Sequence, residues 1–262
     1  MVSGMGKTAF ITLSILLIFA ANINSAERIR ITNGEWAPYL SEHLPKNGFA
    51  SDIVREVFAR MGIEVIYGFF PWKRSYHLAQ KGHWDGTVVW VRTPERERDF
   101  VFSNTVVTDN EYLFHLKTFD LNWTNVDDLK GLTIGGTLHT VYPLFDRAEQ
   151  EGLLIVERTG TYENLYRRLL RNRIHAVPQV SEVGKYLIRT TLPKADQSKI
   201  TYSPTIIQTR QYSLMISKTI SGSVELISRF NDSLESLYAD GTYARMHKQL
   251  QNRAYDLKEP TK

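Results

Sequence analysis

The chain has 262 residues, of which 42% are hydrophobic, so it is long enough to bury the core of one large domain or of two lobes. Its 32 basic and 28 acidic residues nearly cancel, and the arginine-rich segment 166–173 is typical of a solvated helix face, so we expect no nucleic-acid partner. The chain contains no cysteine, which excludes disulfides and thiolate zinc sites. We expect neither a cofactor nor a metal.

The first 26 residues have the pattern of a secretory signal peptide. Lys7 precedes the apolar run 9–20, and the segment closes with small residues at Ala26. The apolar run is shorter than the ~20 residues that a membrane-spanning helix needs, which argues against a membrane anchor. We therefore predict cleavage near Ala26 and export of the mature chain, and the compartment that agrees best with this is a bacterial periplasm.

The segment after this signal alternates strand and helix patterns at short spacing. Ile53, Val57 and Met61 lie on one face of its first predicted helix. Ser51 or Asp52 is placed to cap the start of that helix. In chain order the predicted elements are a strand at 28–34, a helix at 51–62 closed by Gly62, a strand at 63–70, a helix at 73–82 and a strand at 86–92.

The rest of the chain repeats this plan and ends in a helical segment. In chain order we predict a strand at 129–136, a helix at 141–152, a strand at 153–158, a helix at 161–173, a strand at 174–180, a helix at 181–188, a strand at 211–218 and one or two helices at 224–250, interrupted near Gly241. The alternation predicts an α/β fold of two similar lobes, each with a mostly parallel sheet flanked by helices. Loops at the carboxyl ends of the strands are expected to line the cleft between the lobes.

Five segments, in this order and at this spacing, resemble the family 3 extracellular solute-binding proteins, which serve ABC importers for polar amino acids and related small solutes. The segments are GFASDIVREVFARMGIEV, G-x-W-D-G, TPERERDFVFS, LKGLTIGG and ADGTYARMHKQL, and the resemblance extends over about residues 28–250. It implies a two-lobed fold of the periplasmic-binding-protein type II class. It also implies two partners, a small-molecule ligand and the permease of an ABC transporter in the inner membrane, and we expect a monomer.

The resemblance also implies how the chain divides. The first lobe is discontinuous, with residues 27–110 plus 208–262, and the second lobe has residues 111–207. Two hinge strands, near residues 108–110 and 205–210, would join the lobes, and a bound ligand would hold the lobes closed.

The charged segment TPERER is expected to supply the ligand's main anchor. In the family an arginine at the end of TPER holds the ligand carboxylate, and here that residue is Arg96. A guanidinium meets a carboxylate through two parallel hydrogen bonds, which fix orientation as well as charge. Arg92 is a second candidate by the same geometry. The other charges, including Arg98, are expected to form a solvated face.

Aromatic side chains are expected to form the walls of the site. Trp36 and Trp72 match positions that stack on the ligand in the family, and both follow strands. Arg74 either reaches the cleft or covers the short helix. Trp90 lies inside a strand and is assigned mostly to the core. Asn33 stands where several amino-acid binders have an aspartate.

The second lobe is expected to contact the same ligand. Thr140 matches a threonine that precedes a helix, where it binds the carboxylate, caps the helix, or does both. His139 lies next to it. Val180 and Ser181 stand where amino-acid binders have an acid for the ligand ammonium, and Glu182 would substitute after a small shift. We therefore predict a carboxylate-bearing solute, and weak or no binding of common α-amino acids.

Two other functions remain open at this point. An enzyme of the same fold, such as a dehydratase or lyase, would need an acid in the cleft, which Glu35 or Glu182 would provide. A sensing subunit would dock on a membrane receptor. The sequence has neither an H-E-x-x-H nor a G-x-S-x-G motif, so we predict that the protein is not an enzyme.

Overall fold

The structure is a computed structural model that describes residues 27–138 and 140–257. The predicted signal peptide and His139 lie outside these residues. In the described part, the strands are β1 (Glu27–Asn33), β2 (Ile63–Phe69), β3 (Gly86–Trp90), β4 (Phe100–Leu116), β5 (Thr133–Thr137), β6 (Ile155–Thr159), β7 (Ala176–Val180) and β8 (Ile200–Ser217). The helices are α1 (Phe49–Arg60), α2 (Trp72–Gln80), α3 (Pro143–Gln150), α4 (Tyr162–Leu170), α5 (Ser181–Thr191), α6 (Lys194–Gln197), α7 (Ser223–Ala239) and α8 (Thr242–Gln251).

All these strands belong to one sheet, in the order β2-β1-β3-β8-β4-β7-β5-β6. β1 is parallel to β2 and β3, and β5 is parallel to β6 and β7. The antiparallel strands β8 and β4 lie between these two parallel halves. We call the half with β1–β3 the first lobe and the half with β5–β7 the second lobe. The predicted two-lobed α/β fold is confirmed.

The central pair of strands was only partly predicted. β4 and β8 pair from Phe100 opposite Ser217 to Leu116 opposite Ile200, with irregular register near Thr105 and Tyr112. Each strand therefore runs through both lobes. The hydrophobic pattern predicted only the end of β8, because the middle of β4 lacks a clear alternation. The family resemblance implied only short hinge strands near residues 108–110 and 205–210, which lie within β4 and β8.

The start of α1 differs from the prediction. The helix begins at Phe49 after Gly48, whose φ is 89°, and a Cβ on Gly48 would lie 2.6 Å from the Tyr39 carbonyl oxygen. Only glycine tolerates this conformation and this contact. Ser51 and Asp52 are buried inside the first turn, so the prediction that one of them caps α1 was wrong.

Each lobe buries its own core. In the first lobe, Ile31 on β1 and Phe58 on α1 pack with Phe230 on α7, and the rings of Phe58 and Phe230 are 5.0 Å apart. Buried side chains cover both faces of the second-lobe sheet, with Phe145 on one side and Leu165 on the other. α7 and α8 thus return the end of the chain to the first lobe. Within 27–138 and 140–257, no helix is both long and apolar enough to span a membrane.

Candidate functional site

The ends of the parallel strands place three aromatic rings beside the loop after β3. The Trp72 and Trp90 ring centroids are 5.4 Å apart, and those of Tyr76 and Trp90 are 5.3 Å apart. We call Trp72, Tyr76 and Trp90 the tryptophan cluster. A Cβ on Gly34, just after β1, would lie 2.3 Å from the Trp72 ring, so this close approach requires glycine. Trp90 is half-buried and also packs against the buried core residues Phe100 and Met215, in agreement with its assignment mostly to the core.

Arg96 lies on the tryptophan cluster. Its guanidinium carbon is 4.8 Å from the centroid of the Trp90 ring, and its Nη1 donates a hydrogen bond of 2.7 Å to the Val91 carbonyl. Among the described residues, no acid forms an ion pair with Arg96. Its guanidinium therefore carries a charge that is partly desolvated and not neutralised.

Arg92 has a different environment. Its Nη1 is 3.4 Å from a carboxylate oxygen of Glu97, and its guanidinium lies 5.2 Å from the centre of the Phe102 ring. Arg92 lines an open cavity of about 620 Å³ between the loop after β3 and residues 208–211 of β8. Arg96 lines another cavity, of about 420 Å³, beside α2. Arg92 and Arg96, the two arginines predicted to bind the ligand, thus line different cavities.

A strained residue precedes Trp90. Val89 has φ 65° and lies in an irregular step of the β3–β8 ladder between Val88 and Trp90. A β-branched residue is seldom left-handed, and such a conformation costs about 1–3 kcal/mol. Surrounding contacts must offset that cost, and strain of this kind is concentrated at functional sites.

Trp36 and Arg74 lie outside the tryptophan cluster. Trp36 is half-buried, with ring centroids 5.0 Å from Tyr39 and 5.0 Å from Tyr212. Arg74 is exposed and covers the ring of Phe70 at 5.2 Å, which agrees with the alternative that it covers the short helix.

Asn33 is fully buried at the end of β1. Its Nδ2 donates a hydrogen bond of 3.0 Å to Ser51 Oγ on α1, and its Oδ1 has no hydrogen-bond partner within the described residues. The amide therefore joins β1 to α1, and its role as a ligand contact stays a prediction.

The predicted threonine of the second lobe does not cap a helix. α3 begins at Pro143 with Tyr142 as its N-cap, and Tyr142 N donates to Asp146 Oδ2 at 2.8 Å. The exposed Thr140 instead shares a hydrogen bond of 2.6 Å with the hydroxyl of Thr137. An anion at the start of α3 would meet the Asp146 carboxylate and a proline without N–H, so the geometry does not favour the predicted role of this helix.

A tyrosine pair lies behind Thr140. The Tyr142 hydroxyl is 3.1 Å from Thr137 Oγ1 and 3.4 Å from the Tyr162 hydroxyl. Burial, and then the neighbouring Tyr142, raise the pKa of Tyr162 well above its usual value. Tyr162 therefore stays protonated and available as a hydrogen-bond donor.

The start of α5 holds a carboxylate that the sequence did not predict. Ser181 Oγ donates to Asp109 Oδ1 at 2.8 Å, and the Glu182 N–H donates to Asp109 Oδ2 at 3.2 Å. The Tyr39 hydroxyl donates to the same carboxylate. Asp109, on β4, thus connects the first lobe to the second. Burial, and then Asp109, raise the pKa of Tyr39 well above its usual value.

The carboxylate of Glu182 already forms an ion pair with a neighbouring side chain on α5. Its Oε1 is 2.8 Å from Lys185 Nζ, and it lines a cavity of about 580 Å³ between α5 and the end of α8. A ligand ammonium would have to compete with Lys185 for this carboxylate. The residue lies apart from the cavities that Arg92 and Arg96 line.

The sequence also did not predict a second acid on β4 as a site residue. Glu111 is 6% exposed, and its Oε2 accepts hydrogen bonds from Gln208 Nε2 at 2.5 Å and from Arg210 Nη2 at 3.4 Å. Its buried charge is therefore only partly offset by Arg210. Within the described residues, no cluster of three or more His, Asp or Glu side chains is placed to hold a metal ion.

Comparison with known proteins gives the family. Residues 30–252 match the family model of the bacterial extracellular solute-binding proteins, family 3, and the chain belongs to this family. A search of curated proteins gave no match.

Several solved structures share the fold. Substrate-binding domain 2 of GlnP from Lactococcus lactis, in an open conformation, is 21% identical, with 86% of this chain and 96% of that chain covered and a TM-score of 0.65. An ancestral arginine-binding protein bound to arginine is 18% identical, with 85% and 97% covered and a TM-score of 0.64. A histidine kinase sensor domain similar to periplasmic binding proteins is 17% identical, with 86% and 96% covered and a TM-score of 0.64.

Proposed function

We propose that this chain is a periplasmic substrate-binding protein that captures a small, polar, carboxylate-bearing solute and delivers it to the permease of an ABC importer. The solute is amino-acid-like in size and is held between a first lobe of residues 27–110 plus 208–262 and a second lobe of residues 111–207. Membership of the solute-binding family supports the capture of a solute. Delivery to a permease, the monomeric state and cleavage near Ala26 belong to the same proposal.

The observation that carries the proposal is the environment of Arg96. Its guanidinium lies 4.8 Å from the Trp90 ring and, among the described residues, forms no ion pair, while Arg92 of the same segment is paired with Glu97. A half-buried guanidinium without a carboxylate is suited to accept one from a ligand, since the fork geometry supplies two parallel hydrogen bonds. The adjacent rings provide a wall for an apolar or cationic part of the solute.

The start of α5 argues against the usual recognition of an α-amino group. Ser181 is bonded to Asp109, and Glu182 is bonded to Lys185, so neither offers an uncommitted acceptor to an ammonium. An ammonium buried without an anionic partner would be costly. These contacts support the prediction that common α-amino acids bind weakly or not at all.

Closure of the lobes requires bending at the central strands. β4 and β8 are the described strands that pair along both lobes, and Asp109 on β4 receives hydrogen bonds from Tyr39 and Ser181 on opposite sides. We place the hinge near residues 108–110 and 205–210. A ligand shifts the population toward the closed form only if it contacts both lobes better in that form.

The enzyme and the sensor are the alternatives. Glu35, one candidate acid, is exposed and accepts the N–H of Glu42 at 2.9 Å, and the other, Glu182, is paired with Lys185. No contact in the described structure favours a reacting pair over simple binding. A sensing subunit would bind the same solute at the same site and differ only in its membrane partner.

The proposal is tested by a binding screen of the chain from residue 27 onward. Amino acids, organic acids and polyamines are compared by thermal shift, and a ligand at a hundredfold excess over its Kd should stabilise the fold by about 2.7 kcal/mol. Arg96→Ala should then abolish binding of the best ligand without changing the melting temperature of the free protein. Arg171→Ala, which changes an exposed arginine of the second lobe, is the matched control. Equal affinities of the two variants, or conversion of the ligand to a product detected by mass spectrometry, would reject the proposal.

A further inference from the structure

The last described residues cross from the first lobe to the second. Arg253 has φ 62°, a left-handed turn that ends the helical path after α8. Tyr255 then packs in the first lobe, where its ring lies 5.8 Å from Phe49 and its hydroxyl donates to Asp52 Oδ2 at 2.7 Å. The next residue, Asp256, accepts two hydrogen bonds of 2.6 and 2.7 Å from Arg189 on α5.

A cavity of about 580 Å³ lies beside this crossing. Its walls come from α5, from the first residues of β8, from the end of β4, and from the last turn of α8 with the residues after it. Both lobes therefore contribute to it. This cavity shares no lining residue with the cavities beside Arg92 and Arg96.

The lining of this cavity is rich in positive charge. It contains the basic side chains of Lys117, Lys185, Arg189 and Arg253, and the acidic side chain of Glu182. Lys185 is paired with Glu182 at 2.8 Å, and Arg189 is paired with Asp256. Within 27–138 and 140–257, no ion pair engages Lys117 or Arg253. Lys117 and Arg253 are thus two exposed cations of the cavity lining without an ion-pair partner among the described residues.

The two uncompensated cations belong to different parts of the fold. Lys117 directly follows β4 in the second lobe, and Arg253 follows α8, which packs on the first lobe. An anion with a charge at each end would satisfy both without disturbing the Lys185–Glu182 and Arg189–Asp256 pairs. The Tyr202 ring, which Lys185 Nζ covers at 5.5 Å, adds an apolar surface to the same wall.

We propose that this cavity is a second binding site, for a small organic dianion of the dicarboxylate class, held between Lys117 and Arg253. The site is separate from the proposed solute site at Arg96. Since its two anchors lie on different lobes, a bound dianion has different contacts in the open and closed forms. Its binding is therefore coupled to closure, and by linkage solute binding changes its affinity by the same factor.

The probe is succinate, added to the chain from residue 27 onward and followed by calorimetry and thermal shift. Neutral succinamide tests whether charge is needed, and sulfate tests whether an inorganic dianion suffices. Lys117→Gln and Arg253→Gln should each weaken succinate binding by about fivefold, the scale of one exposed charge contact, and the double variant should weaken it by about 25-fold. Lys130→Gln, an exposed lysine elsewhere on the second lobe, is the matched control.

The outcomes separate this site from the solute cleft. Succinate binding that persists in Arg96→Ala and is weakened in the Lys117 and Arg253 variants supports the proposal. The proposal is overturned if succinate does not bind, if both single variants bind it as the unaltered protein does, or if succinamide binds equally well. Sulfate that binds as tightly as succinate would overturn the dicarboxylate assignment. Loss of succinate binding in Arg96→Ala alone would place succinate in the cleft instead.

Discussion

Tyr39 and Asp109 form a hydrogen bond across the junction of the two lobes. The donor is the hydroxyl of Tyr39, in the loop after β1, and the acceptor is the carboxylate of Asp109 on β4. Tyr39 is 1% exposed, so its hydroxyl has no access to solvent as an alternative partner. Asp109 also accepts from Ser181 Oγ and from the Glu182 N–H at the start of α5. One carboxylate therefore satisfies polar groups of both lobes, and it is the most connected acid of the candidate site.

The first prediction concerns this carboxylate. Asp109→Asn keeps the shape but removes the charge and replaces one acceptor by an NH2 donor, which leaves the N–H of either Asn110 or Glu182 without its acceptor. We expect the free energy of unfolding to fall by about 1–3 kcal/mol, the cost of an unsatisfied buried polar group. Urea denaturation measures this, with the exposed Asp120→Asn as control. Equal stability of the two variants would show that the network is not a structural link.

The second prediction concerns the contact of Gly34 with Trp72. In Gly34→Ala the new Cβ would lie 2.3 Å from the indole, so the ring must move and the tryptophan cluster must open. We expect solute affinity to fall by at least tenfold, with a change in tryptophan fluorescence of the free protein. Gly160→Ala is the matched control, because a Cβ there meets nothing within 4 Å. An unchanged affinity in Gly34→Ala would exclude the cluster from the site.

The third prediction concerns Trp36 and Trp72 themselves. Each should weaken solute binding when changed to alanine, and the fluorescence of the unaltered protein should change on binding, because both rings are half-buried beside the predicted site. The buried Trp123 of the second lobe, changed to phenylalanine, controls for general loss of an indole. If only one tryptophan matters, the site is confined to that side: Trp72 with Arg96, or Trp36 with Tyr39.

The fourth prediction concerns alkaline pH. Burial raises the pKa of Tyr166, whose hydroxyl has no hydrogen-bond partner within the described residues. The unfolded chain releases the tyrosine proton near pH 10, whereas the folded chain retains it, so stability is full below about pH 10 and falls as the pH rises beyond that value.

Tyr166→Phe tests this relation. It removes both the proton and an unsatisfied buried hydroxyl, so we expect equal or greater stability at pH 8 and a shallower loss of stability between pH 10 and 11. Urea denaturation at the two ends of the range measures both effects. A steeper alkaline loss in the variant would contradict the prediction. Tyr162, which is hydrogen-bonded to Tyr142, is the contrasting position, where phenylalanine should cost stability.

The alternation of elements was readable from the sequence because the parallel strands are short and all but β3 are followed by an amphipathic helix. β4 was not, since the segment 104–110 has no clear alternation: Val106 and Val107 are adjacent and both buried, between polar residues that are partly exposed. Such a strand is specified by its neighbours, and its partner β8 lies about a hundred residues further along the chain. Local pattern carries no trace of that pairing.

The residues of the candidate site were likewise only partly predictable from the sequence. Arg96 and Trp72 were predicted as ligand contacts from local motifs, and in the structure both side chains contact the Trp90 ring. The role of Asp109 was not predictable, because it depends on a hydrogen bond from Ser181, which is 72 positions away. The alternative that Thr140 caps the helix was wrong, because Tyr142 takes the cap position, and its role as a ligand contact stays a prediction.

The position of β8 between β3 and β4 has a consequence for the order in which the chain folds. β4, β7, β5 and β6 can associate as soon as residue 180 is available, whereas the first-lobe sheet stays incomplete until residues 213–217 arrive. A chain that emerges from its amino terminus therefore builds the second lobe first. Until β8 arrives, β3 presents an open edge to other chains. Truncation before residue 200 should accordingly give an aggregation-prone fragment rather than a smaller protein with half the function.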